Sequence, residues 1–112
     1  MTLHLHEADD GTSVRVPLSD EVVLELEENP TTGYQWAIET TGNAVSEIES
    51  NYVPSGTAIG GGGRRSFRFI AAYPGTAEIR AALRRSWEPP DRSLKQFAVT
   101  IHVEGDPDAD DQ

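Results

Sequence analysis

The chain has 112 residues, 37% hydrophobic and 25% charged, with a formal net charge of −10. That length provides one hydrophobic core rather than two, and no apolar run approaches the roughly 18 residues of a membrane-spanning helix. Cysteine is absent, which excludes disulfides, thiolate metal sites and a cysteine nucleophile.

The charge is unevenly spread. Residues 1–63 carry eleven acids against one base, Arg15; residues 64–103 carry eight bases against three acids; residues 104–112 carry five acids and no base. The overall acidity disfavours nucleic acid as a partner, because phosphate backbones repel it. The end segment, EGDPDADDQ, reads as a disordered, solubilising tail after an ordered domain of residues 1–103. The start, MTLHLHEADD, has no basic region followed by an apolar stretch. A complete chain is therefore expected to be cytoplasmic, and one that had lost a leader periplasmic or secreted.

Taken in chain order, the predicted elements are nearly all strands, because apolar residues recur with a period of two. Leu3 and Leu5 alternate with His4 and His6, and Val14 and Val16 flank Arg15. Val22, Leu24 and Leu26 alternate with Val23, Glu25 and Glu27; Tyr34, Trp36 and Ile38 then share one side of the next strand. Val45 to Val53 is less regular, with a strand near Ile48 or Tyr52. Phe67, Phe69 and Ala71 alternate with Arg68 and Ile70. The segment AEIRAALRR, Ala77 to Arg85, contains strong helix formers, but its apolar residues fall at i, i+2, i+4 and i+6, which selects a strand. Phe97, Val99, Ile101 and Val103 complete the series. Seven or eight short strands with turns rich in Gly, Pro, Asp and Asn predict an all-β, immunoglobulin-like antiparallel sandwich. Trp36 is expected in its core, on an early central strand.

Three loops stand out. In Asn29-Pro30-Thr31-Thr32-Gly33-Tyr34, Pro30 fixes its own φ and restricts Asn29. Thr31 and Thr32 are stiff at χ1, and Gly33 permits a positive φ for the turn into the next strand. On structure alone, this composition reads first as an ordinary inter-strand loop, since such loops are common. The second loop runs through Gly60, Gly61, Gly62 and Gly63. It lacks the Lys-Ser/Thr and following helix of a phosphate cradle, because Arg64 and Arg65 lead into a strand. Four glycines leave either a floppy linker or bare backbone that another protein can approach. The third loop, LRRSWEPPD, places Trp87 beyond the alternating strand, beside Arg85 and Ser86. Either Trp87 is an exposed binding anchor next to arginine, or it folds back over the sandwich edge.

Catalysis finds no support. His4 and His6 share one strand face and could contribute two metal ligands, but no third is identifiable, so no metal site or cofactor is assigned. There is no GxSxG or comparable nucleophile setting.

Together, the three loops resemble the chagasin family of cysteine peptidase inhibitors. That family carries an NPTTGY/F-x-W loop, a G-x-G-G loop before an aromatic strand, and an R-P-W/F loop, in that order. Here they read Asn29 to Trp36, Gly60 to Gly63 before Phe67 and Phe69, and Arg85-Ser86-Trp87. The resemblance spans about residues 3–103 and implies a reversible, tight-binding, monomeric inhibitor that blocks a papain-like cysteine peptidase 1:1. The first loop would enter the cleft while the other two grip its flanks. Ser86 stands where the family usually has proline, which implies a less rigid third loop. A non-inhibitory immunoglobulin-like module that binds another protein or a carbohydrate shares the same fold-level features.

Overall fold

The structure, a computed structural model, describes residues 2–29, 32–54, 62–89 and 92–105. Its eight strands are β1 (Thr2–His6), β2 (Ser13–Pro17), β3 (Glu21–Glu28), β4 (Tyr34–Thr41), β5 (Val45–Pro54), β6 (Gly63–Ala71), β7 (Gly75–Arg85) and β8 (Lys95–Glu104), with one turn of 3-10 helix at Glu7–Asp9. They form two four-stranded sheets, ordered β1-β3-β6-β5 and β2-β8-β7-β4.

The alternation explains the architecture. Leu5, Val22, Leu24, Leu26, Phe67 and Phe69 point inward from the first sheet. Val16, Trp36, Ile79, Leu83, Phe97, Val99 and Ile101 meet them from the second. Burying one such large side chain contributes about 1.5–3 kcal/mol, so the interior between the sheets is the main source of stability. Ala77–Arg85 lies wholly within β7, which settles its helix-or-strand ambiguity: one face of it, Ala77, Ile79, Ala81 and Leu83, is buried.

One expectation needs correction and another is extended. Trp36 is buried, but β4 is an edge strand of its sheet rather than a central one. The irregular region is a single ten-residue strand, β5, whose pairing with β6 shifts between Glu47 and Glu49. The bulge at Ile48 breaks the period, and most of β5 is exposed, so burial imposes no alternation there.

The two N-terminal strands belong to different sheets. β1 pairs in parallel with β3, and β2 pairs in parallel with β8. The crossing is pinned by Gly11 N–H to Ala98 O at 2.7 Å, Ala98 N–H to Asp10 Oδ1 at 2.9 Å, and Glu27 N–H to Glu7 Oε1 at 2.9 Å. The tail beyond Gly105 lies outside the described residues.

Candidate functional site

Strand register decides where the loops emerge. Glu28, the last residue of β3, is paired with Gly63, the first of β6. Tyr34, the first of β4, is paired with Arg85, the last of β7. The chain around Asn29–Gly33, the chain before Gly63 and the chain after Arg85 therefore leave the sandwich at one end.

The first loop is held from within. Thr32 N–H and Thr32 Oγ1 both donate to Asn29 O, at 3.2 and 2.8 Å, and Tyr34 N–H donates to Thr32 Oγ1 at 3.3 Å. The only proton of the Thr32 hydroxyl is thus used inside the loop. Gly33 has φ +83°, the left-handed conformation that the sequence anticipated for it. Pro30 and Thr31 lie outside the described residues.

Of the glycine loop, Gly60 and Gly61 are also outside the described residues. Gly63 has an internal reason to be glycine: a Cβ there would collide with Val53 O and the Tyr52 ring. Bare backbone at this position serves the pairing of β5 with β6 first. Gly62 is roomier, its nearest neighbour being Glu28 O at 3.5 Å from a Cβ position.

The third loop is a set of turns. Glu88 N–H donates to Arg85 O at 3.0 Å, so Ser86 and Trp87 are the central residues of a four-residue turn. Arg84 Nη1 donates to Glu88 O at 3.2 Å, and Arg85 Nη1 lies 3.7 Å from Glu88 Oε1. Trp87 is 72% exposed, so it is not a lid over the sandwich edge. Its ring instead borders the first loop: a Cβ on Gly33 would stand 3.2 Å from Trp87 Cη2. The Arg85 guanidinium lies over the Tyr34 ring at 4.5 Å, with the Trp87 ring at 6.0 Å, a cation–π arrangement that ties the two loops together.

Beside the first loop runs a groove of about 490 Å³, lined in part by Asn29, Thr32, Tyr34, Gly62 and Leu94. Leu94 is 61% exposed although its N–H is fixed to Leu83 O at 2.7 Å. The sequence reading did not single it out. His4 and His6 are exposed on the outer face of the first sheet, and among the described residues no group of three His, Cys, Asp or Glu side chains is arranged to hold a metal ion.

At the root of the site lies a partly buried ion pair that the sequence reading also missed. The Glu28 carboxylate has no exposed side-chain area and sits 2.8 Å from Arg65 Nη2. Parity was the available signal. Position 28 continues the inward series Val22, Leu24, Leu26, and position 65 precedes Phe67 and Phe69 on the inward face.

Residues 15–101 match the Chagasin family peptidase inhibitor I42. The chain belongs to this family. The family is one of peptidase inhibitors rather than enzymes. Chagasin of Trypanosoma cruzi is 26% identical over 107 residues, covering 90% of this chain and 97% of that protein. Amoebiasin-2 of Entamoeba histolytica is 28% identical over 106 residues, covering 88% and 83%. Among solved structures, a cysteine protease inhibitor from Entamoeba histolytica superposes with a TM-score of 0.84 at 22% identity, covering 92% of this chain and 96% of that one. PbICP-C, solved in complex with falcipain-2, has a TM-score of 0.60 at 17% identity, covering 94% and 98%. These structures share the two-sheet fold described above.

Proposed function

We propose that this member of the chagasin family is a reversible, tight-binding inhibitor of papain-like cysteine peptidases. It acts as a monomer in a 1:1 complex, occluding the active-site cleft with Asn29–Tyr34, Gly60–Gly63 and Arg85–Trp87. The observation that carries this reading is the joint anchoring of the first and third loops, with Trp87 beside Gly33 and Arg85 over Tyr34.

The chemistry follows from stiffness. A segment that fills a thiol protease cleft must approach the nucleophile without presenting a carbonyl in attack geometry. The Thr32 hydrogen bonds and the Gly33 turn fix the described part of the first loop, which lowers the conformational freedom to be lost on binding. Trp87 offers a broad apolar face beside it, and an aromatic next to arginine is what concentrates binding energy in small contacts. A protease–inhibitor interface of roughly 1,600 Å² in total lies within reach of a domain this size. One structural neighbour was solved as a complex with falcipain-2, which supports the reading.

Titration of papain and a cathepsin-like enzyme with the purified protein tests the proposal. Stoichiometric inhibition, reversed on dilution, is the expected result. A folded protein without effect at micromolar concentration would overturn it.

A further inference from the structure

Among the described residues, Glu28 is the one carboxylate taken out of water, and its partners all belong to the frame of the candidate site. Oε1 accepts the Trp36 backbone N–H at 2.8 Å, across the base of the first loop. Oε2 accepts from Arg65 Nε at 2.9 Å and lies 2.8 Å from Nη2. Arg65 comes from β6, just after the glycine loop, and its guanidinium rests 5.4 Å above the ring of Tyr52 on β5. The hydroxyl of Tyr52 approaches Glu28 O at 3.5 Å. One residue away, Trp36 Nε1 donates to Glu27 O at 2.8 Å.

An ion pair with its carboxylate buried and its guanidinium only partly so is a poor device for stability alone, since apolar side chains of equal volume often serve the fold as well. What a carboxylate adds is direction. Charge-assisted hydrogen bonds are short and angular, so four strand ends are fixed relative to each other rather than merely packed.

We infer that Glu28 is the positioning residue of the inhibitory end: its carboxylate bolts the base of the loop after β3 to the strand that follows the glycine loop, and so sets the spacing between the two. This rests on the inhibitor reading for its consequence, but not for its geometry. Glu28 touches no peptidase; it acts through Trp36 and Arg65.

The test uses the full chain with Glu28→Gln, Arg65→Met and Arg65→Lys, and reads two quantities. The first is amide hydrogen exchange at Thr32, Gly33 and Gly62, compared with Val22 and Ile79 in the core. The second is the inhibition constant against papain. In Glu28→Gln and Arg65→Met, loop exchange is expected to rise about tenfold while core protection stays as in the parent. Inhibition should weaken by about tenfold or more, the scale on which small misplacements act. Arg65→Lys, which keeps the charge, should recover part of both. Unchanged loop exchange, or loosening spread equally over loop and core, would overturn the inference. Should Glu28→Gln not fold, the two Arg65 variants decide it in the same way. A parent that fails to inhibit papain counts against the proposed function alone, because the exchange measurement still reads the Glu28 contacts to Trp36 and Arg65.

Discussion

Gly33 and Trp87 are neighbours across two loops: a β-carbon on Gly33 would stand 3.2 Å from Cη2 of the indole. The first loop can make its left-handed turn and receive the tryptophan beside it only because position 33 has no side chain. Backbone freedom and inter-loop packing thus make the same demand on one residue.

Gly33→Ala should therefore act twice. Holding a non-glycine residue at φ +83° costs about 1–2 kcal/mol, and the added methyl displaces Trp87. Chemical denaturation should show the loss of stability, and papain titration a loss of affinity larger than that from the strain alone. Retention of both would show that the loop remodels freely.

Trp87→Ala separates folding from binding. The side chain is 72% exposed, so the unfolding free energy should change by less than about 0.5 kcal/mol. Removal of this aromatic anchor should cost about 2 kcal/mol or more of complex stability, roughly 30-fold in Kd. Surface-bound peptidase kinetics would place most of that change in the dissociation rate.

Ser86→Pro restores the residue more usual in the family. Position 86 is the second residue of the Arg85–Glu88 turn, where proline is favoured. Proline also narrows the unfolded ensemble, so thermal unfolding should show a gain of about 0.4–1 kcal/mol. Inhibition should tighten or hold. A destabilised product would mean that the turn depends on Ser86 itself.

Trp36→Phe tests the staple at the base of the first loop. The indole N–H to Glu27 O bond, 2.8 Å long, is lost and a carbonyl is left short of a partner, costing about 1–3 kcal/mol. Denaturant midpoints measure it. A stability equal to the parent's would show that the bond contributes nothing net.

Much of the fold could be read directly, because burial on one face imposes a two-residue period on β1, β3, β6, β7 and β8. β5 escaped for the complementary reason: it is largely exposed and carries the bulge at Ile48, so its side chains obey no such period. The edge position of β4 was not legible, since strand order arises from long-range pairing, which local pattern does not encode. In the site, the turn at Gly33 followed from its chemistry, while the packing of Trp87 beside it required two loops 54 residues apart in sequence to meet. The inward use of the Thr32 hydroxyl proton, on Asn29 O, was not read from the sequence. Such short-range bonds are a familiar habit of threonine in turns. Glu28 and Arg65 were hidden by a default assumption about charged residues, although their strand parity pointed inward.

The N-terminal segment, divided between β1 in one sheet and β2 in the other, works as a strap. Shearing the two layers past one another would require tearing a parallel ladder from β3 or from β8. For a member of a peptidase-inhibitor family, resistance to such breathing matters to survival beside a degrading enzyme. Transient opening would hand the enzyme fresh extended backbone to cleave. The strap thereby extends the protection against proteolysis from the contact surface to the body of the domain.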